Sequence, residues 1–162
     1  MTASLAYIEK QFTNYIDYGG LSREYLKAKR ILELGPGDSL GVALKFLAAG
    51  AESVVCLDRF YSKRDVQHER EIYKELRATL EPEEKARFDE AVTLTEKVQF
   101  NPQKLQSIHG FTLDEIADKL EQKFDLIVSC AVLEEIYDPD PVFAAMDKLL
   151  AHGGSLVHVI DL

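Results

Sequence analysis

Two glycines and two carboxylates carry the chemistry that this chain most clearly encodes. Glu33 precedes Gly35-Pro36-Gly37, and Asp58 follows at the end of the next apolar run. Glycine tolerates positive φ and lets a ligand approach the backbone where a Cβ would clash. The turn follows Ile31, Leu32 and Leu34 and precedes a helical pattern of Val42, Ala43, Leu44, Phe46 and Leu47. The segment therefore reads as strand, glycine turn and helix N-terminus, the opening of a nucleotide-binding βαβ unit. The first N–H groups of such a helix lack intrahelical partners and are available to a ligand oxygen. Asp58 lies at about the 20-residue distance that suits a carboxylate gripping ribose hydroxyls. A dinucleotide fingerprint needs a further glycine at position 40, where Leu40 stands, and this argues against a nicotinamide-dependent oxidoreductase. A bare strand-to-helix turn is the plain alternative, because short motifs recur by chance.

These residues need elements to position them, and strand and helix patterns alternate along the chain. Leu5, Ile8, Phe12, Tyr15 and Ile16 recur at helical spacing. They predict one amphipathic helix ending at Gly19-Gly20, with Ser22 capping a short helix around 24–27. Strands are expected at 30–34, 53–58, 105–109, 124–129 and 155–161. The third is placed at 105–109 because Thr112-Leu113-Asp114-Glu115 behind it forms a capping box, with 97–100 as the alternative. Helices are expected over 39–49, with Asp38 as cap and Gly50 as stop, and over 62–80. Further helices are expected over 83–92 behind Pro82, over 112–122, and from the Asp140-Pro141 cap to 150. Such alternation implies an α/β fold, a parallel sheet with helices on both faces. Right-handed crossovers would bring 35–38, 58–61, the loop after His109 and 129–134 to one crevice at the C-terminal strand ends.

A length of 162 residues allows one domain that buries about 70% of the unfolded surface. The expected organisation is a single domain over 1–162, with N-terminal helices over 1–28 and a cofactor-binding core over 29–162. No apolar run approaches the roughly 20 residues of a membrane span. Glu9 and Asp17 interrupt any basic-then-apolar leader pattern, so no membrane partner and a cytoplasmic location are expected. A net charge of -9 repels phosphate backbones, which argues against a nucleic-acid partner. Cys56 and Cys130 lie in apolar strand patterns and read as buried free thiols in a reducing cytosol. His68, His109 and His152 show no ligand spacing, so no metal is expected.

The stretch from Glu33 to Ser39 resembles motif I of the class I S-adenosylmethionine-dependent methyltransferases, Glu/Asp-x-Gly-x-Gly-x-Gly, with Ser39 in place of the last glycine. Phe124-Asp125-Leu126-Ile127 through Glu135 resembles motif IV and its continuation, with Glu135 where the family often has histidine. Leu150-Ala151-His152-Gly153-Gly154 resembles the family's Leu-x-Pro-Gly-Gly turn. His158 to Leu162 resembles the His-x-Ile-Asp-Leu strand of a small-molecule subgroup. The resemblance covers roughly residues 30–162. It implies a Rossmann-like sheet of order 3-2-1-4-5, S-adenosyl-L-methionine as cofactor and a small-molecule acceptor. Gly35 and Gly37 would contact the cofactor's amino-acid tail and ribose, Asp58 the ribose hydroxyls, and Glu33 the cationic end. Arg59 or Phe60 would flank the adenine, with Phe111 or Thr112 at its other edge. Residues 129–133, Ser129 and Ala131 among them, would pass under the tail. The family core has seven strands, the last two an antiparallel hairpin. Here that hairpin is expected to be absent, leaving an apolar edge of Leu156, Val157, Val159 and Ile160. A missing C-terminal segment or a second copy in a homodimer would cover it. A truncated enzyme is the preferred reading, and a non-catalytic cofactor-binding module or partner subunit is the alternative.

In-line methyl transfer draws its rate mainly from alignment, and a base is needed only if the acceptor must lose a proton. Glu134, Glu135, His158 and Asp161 are the candidates. Plainer roles stand beside these: a solvated charge pair for Glu134 and Glu135, a core histidine for His158, a strand-end cap for Asp58, turn support for Glu33, and packing for Phe60 and Phe111. Tyr7, Tyr15, Tyr18 and Tyr25 either cover the cofactor as a lid or pack the N-terminal helices on the sheet. The acceptor atom is not specified by any of these residues.

Overall fold

Apolar runs as continuous as those at 31–34, 54–57 and 126–128 need burial on both faces, which the centre of a parallel sheet provides. The computed structural model describes residues 1–161 and places them there. The strands are β1 (Arg30–Leu34), β2 (Ser53–Asp58), β3 (Val92–Leu94), β4 (Val98–Phe100), β5 (Leu105–His109), β6 (Phe124–Cys130) and β7 (Leu150–Val159). Five form one sheet in the order β5-β2-β1-β6-β7. Ile31 is in register with Val54 on one side and Leu126 on the other. Counted within this sheet that is the expected order 3-2-1-4-5, and the labels become 5-2-1-6-7 because β3, which was not foreseen, and β4 pair antiparallel with each other outside the sheet. Both positions weighed for the third strand are occupied, 105–109 by β5 in the main sheet and 98–100 by β4.

The helices are α1 (Ala3–Gly19), α2 (Arg23–Leu26), α3 (Gly41–Ala48), α4 (Val66–Ala78), α5 (Pro82–Ala91), α6 (Leu113–Ile116) and α7 (Asp140–Leu149). Ser22 caps α2 through the Tyr25 N–H, as expected. Four boundaries differ. Asp38 does not cap α3, whose N-cap is Leu40; the Leu40 N–H donates instead to the Tyr73 hydroxyl on α4, at 2.9 Å. The helix expected from 62 starts at Val66, because the Asp65 side chain accepts from the N–H groups of Gln67 and His68. α6 ends at Ile116 and tightens into a 3₁₀ turn over Ala117–Lys119 instead of running to 122. Strand β7 begins at Leu150 and absorbs Gly153-Gly154 through a register irregularity opposite Phe124–Leu126.

Side chains alternate between the two faces of the sheet. Ile31, Val54, Cys56, Leu126, Val128 and Val157 pack beneath α1, α3, α4 and α5. Leu32, Leu34, Val55, Leu57 and Ile127 pack against α6 and α7. Helix α1 docks through aromatic contacts. The Phe46 ring lies 5.2 Å from Phe12, edge-on, and 6.1 Å from Tyr15, stacked. Lys45 Nζ, on the same helix as Phe46, reaches Glu9 Oε2 at 2.6 Å. A Cβ on Gly41 would fall 2.2 Å from Ile8 Cδ1, so glycine is what lets α1 pass this close to the start of α3.

Truncating Phe46 to alanine removes the anchor that Phe12 and Tyr15 of α1 share. Urea unfolding of Phe46→Ala is expected to show a loss of about 3–5 kcal/mol, the range for a buried aromatic truncation. A loss below about 1 kcal/mol would mean that α1 is not docked on α3 in this way.

Candidate functional site

The turn after β1 is shaped by where the strand ladder stops. The Gly35 N–H extends the parallel ladder by one bond, donating to the Leu57 C=O at 2.8 Å. The chain then bends away, with φ of 64° at Gly35 and 76° at Gly37. A Cβ on Gly35 would fall 2.5 Å from Val132 Cγ2, whereas one on Gly37 would meet no atom within 4 Å. Gly35 is thus required by packing as well as conformation, while Gly37 combines a left-handed backbone with open space. The turn borders a cavity of about 620 Å³ at the C-terminal ends of the strands.

Asp58 stands on the neighbouring strand end and borders the same cavity. Its Oδ1 accepts the Phe60 N–H at 2.9 Å, and its C=O accepts the Gly110 N–H at 2.9 Å. Both bonds hold the residue at the crevice, and Oδ2 has no protein donor among the described residues. Arg59, Phe60, Phe111 and Thr112 also line the cavity. Phe60 is 65% exposed and Phe111 39%, so neither ring is spent on the core. Ala131 lines the opposite flank with φ of 53°, a left-handed conformation that costs a non-glycine residue about 1–2 kcal/mol. Its N–H donates to the Val159 C=O at 2.9 Å, which anchors the strained residue to β7.

Glu33 and Ser129 lie behind this wall. Glu33 is 2% exposed on the α1 and α3 side of the sheet, where the Cys56 thiol donates to its Oε2 at 3.6 Å. Burial pushes its carboxyl up to about 7, opposed by the thiol and by the Arg64 charge. Ser129 is fully buried and its hydroxyl is 2.7 Å from His158 Nδ1. Among the four residues considered as a base, Glu135 lines the cavity and the other three do not. Burial lowers the His158 pKa, and its ring meets Phe143 edge-on. Glu134 Oε1 accepts the Asp161 N–H at 3.2 Å, tying the β6 loop to the chain beyond β7.

The four tyrosines divide. Tyr7 lines the cavity, Tyr15 stacks on Phe46, Tyr18 is exposed, and the Tyr25 hydroxyl donates to the Asp125 C=O. Cys130 lines the cavity within the expected 129–133 stretch and is half-buried, not buried as expected, and Ile136, Tyr137 and Asp138 line it without a sequence expectation. Residues 136–138 directly follow Glu135 and precede the α7 cap, and that position was the available signal. Cys56 and Cys130 are both free thiols. Among the described residues no three His, Cys, Asp or Glu side chains gather as a metal site, and no helix is long and apolar enough to cross a membrane.

A family model for a methyltransferase domain matches residues 6–162. Among solved structures, the chain is similar to an S-adenosylmethionine-dependent methyltransferase from Clostridium acetobutylicum at 18% identity and TM-score 0.52, covering 93% of this chain and 50% of that one. It is similar to protein arginine methyltransferase 10 of Arabidopsis thaliana at 20% identity and TM-score 0.50, covering 90% of this chain and 33% of that one. The chain therefore spans between a third and a half of those two proteins, and the likeness is one of fold. No curated protein matches the sequence.

The raised pKa of Glu33 has a definite effect on stability. The unfolded carboxyl ionises near 4.5 and the folded one near 7, so the native state binds the extra proton between these values. Its contribution is fully present below about pH 4.5 and is lost as pH rises through about 7. Arg64, the Cys130 thiol and the phenols of Tyr7 and Tyr15 are the other titrating groups coupled electrostatically to this position, besides Cys56. Urea midpoints for wild type and Glu33→Gln at pH 5 and pH 7.5 are expected to show wild type losing more stability across the interval. Parallel pH profiles would place the Glu33 carboxylate in solvent.

Proposed function

The chain belongs to the methyltransferase domain family and has its class I, Rossmann-like sheet, and from that premise we propose that it transfers a methyl group from S-adenosyl-L-methionine to a small-molecule acceptor. The observation that carries this reading is the opening of the glycine turn and the Asp58 carboxylate onto one cavity. A cavity of about 620 Å³ suits a ligand of this size, since small-molecule sites run from roughly 300 to 1,000 Å³. The cofactor, when bound, supplies an electrophilic sulfonium methyl group.

The residues present fit such a ligand. Gly35 and Gly37 admit close contact with its amino-acid tail and ribose. Asp58 accepts from the ribose hydroxyls, a charge-assisted pair of bonds on a carboxylate already fixed by Phe60. Arg59 and Phe60 border the adenine on one side, Phe111 and Thr112 on the other. Ala131 passes beside the tail, with Ser129 holding that strand end through His158. Glu33 acts from behind the turn, its ionised form favouring a nearby cation.

Rate comes mainly from aligning the acceptor with the methyl carbon. Glu135, which borders the cavity, is the residue placed to take a proton from an acceptor that must lose one. The two free thiols suit a reducing, cytoplasmic setting.

Calorimetry with S-adenosylhomocysteine tests the assignment of Asp58. Asp58→Ala is expected to bind more weakly by about 1.5–3 kcal/mol, the scale of a lost bond to a charged group. Unchanged affinity would remove Asp58 from the site. Transfer of labelled methyl to a panel of amine, hydroxyl and carbon acceptors tests the activity. Binding with no transfer to any of them would reduce the protein to a cofactor-binding module or partner subunit.

A further inference from the structure

The glycine turn is held from outside the crevice. Between Gly37 and Leu40 its own hydrogen bonds are few: the Ser39 hydroxyl accepts the Gly41 N–H at 3.3 Å, and the N-cap of α3 receives no side-chain cap bond. The firmer restraints come from Glu69 and Tyr73 on α4 and from Arg64 on the irregular segment before it. Tyr73 is fully buried and Glu69 is 8% exposed. The Tyr73 hydroxyl donates to Glu69 Oε1 at 2.8 Å and accepts the Leu40 N–H at 2.9 Å. On a second arm, Arg64 Nε lies 3.8 Å from the same Glu69 Oε1, and Arg64 Nη2 donates to the Gly37 C=O at 2.9 Å. One carboxylate oxygen thus reaches the Leu40 N–H through hydrogen bonds to and from the Tyr73 hydroxyl, and lies within ion-pair but not hydrogen-bond distance of the arginine that holds the Gly37 carbonyl. None of the three side chains borders the cavity.

We propose that Arg64, Glu69 and Tyr73 are positioning residues that clamp the turn into its ligand-binding shape and so set affinity for the amino-acid tail of the cofactor. The inference rests on the methyltransferase reading above. Gly37 has a φ of 76° and open space around it, so nothing in its own packing keeps it there. Loss of the Tyr73 hydroxyl leaves the buried Leu40 N–H unpaired and loss of Arg64 hands the exposed Gly37 C=O to solvent; either lets the turn sample other conformations, which a ligand must then reorder at the expense of affinity. Asp58 is restrained separately, through the Phe60 and Gly110 N–H groups. The clamp thus acts chiefly on the tail and touches the nucleoside only where the ribose rests on the turn, while the Asp58 hold on the ribose hydroxyls is left as it was.

Two ligands separate the halves. S-adenosylhomocysteine carries nucleoside, sulfur and tail, whereas 5′-methylthioadenosine keeps the nucleoside and sulfur and lacks the tail. Calorimetry on the wild-type chain is expected to detect both. Tyr73→Phe keeps the ring and its contact with Phe100 while removing the hydroxyl, and Arg64→Ala releases the other arm. Tyr73→Phe is expected to weaken S-adenosylhomocysteine about tenfold, the size of one unmade buried hydrogen bond, and Arg64→Ala, whose bond to the Gly37 carbonyl is exposed, by about three- to fivefold, with 5′-methylthioadenosine changed by a clearly smaller factor in both. Arg64→Lys keeps a donor for the Gly37 carbonyl and is expected to recover part of the loss. Equal weakening of both ligands would reveal general loosening and overturn the clamp, as would unchanged S-adenosylhomocysteine affinity in the variants. A wild-type chain that binds neither ligand would overturn the methyltransferase reading itself, and the clamp with it.

Discussion

The parallel ladder between β1 and β2 is the constraint on which the site depends. It runs from Arg30 opposite Ser53 to Leu34 opposite Leu57, and the Gly35 N–H adds one more bond at 2.8 Å. Because β1 is flanked on both edges and covered on both faces, its C-terminal tip has one direction left to open. The backbone must leave the sheet there, and the left-handed conformations of Gly35 and Gly37 turn it away. The same register sets Asp58 one step past the last paired residues, beside the turn. Crossovers of uniform hand bring the loops after β5 and β6 to the same end, so one sheet edge collects the cavity wall.

The polar groups beneath this edge are arranged around what they can afford to bury. Glu33 has only the weak donation of a thiol, so burial keeps it largely protonated in the lower part of the neutral range. Glu69 has firmer partners, a phenol on one side and a guanidinium near it on the other. The Ser129 hydroxyl and His158 Nδ1 pair across β6 and β7 on the opposite face, while His158 Nε2 is buried without a partner among the described residues. Charge and hydrogen bonding thus stiffen the turn and the strand ends from below, while Asp58 Oδ2 at the cavity has no protein donor among the described residues. A strained residue, Ala131, sits on that surface, anchored through β7.

Much of this was legible in the residues themselves, for reasons that also mark where legibility ends. β1, β2 and β6 were visible because strands buried on both faces are largely apolar, even with Glu33 set into β1. The glycine turn and Asp58 were visible because left-handed backbone and a strand-end carboxylate leave a local signature. The start of α3 was not, because its first N–H is satisfied by Tyr73, a tertiary partner that no local pattern announces. β3 and β4 were missed as a pair because three-residue strands carry too short an alternation to register. Tyr7 could not be told from Tyr15, Tyr18 and Tyr25, since position on the surfaces of α1 and α2 separates them and residue type does not. Arg64 lies in a charged stretch where any of several cations had an equal claim, and its bond to Gly37 emerges only in three dimensions.

A crystal structure of the chain with S-adenosylhomocysteine tests the central claim most directly. The account predicts the ribose hydroxyls on the Asp58 carboxylate and the amino-acid tail lying along the backbone of Gly35 and Gly37. A nucleoside bound elsewhere, or an Asp58 carboxylate turned to solvent with the ligand in place, would contradict it.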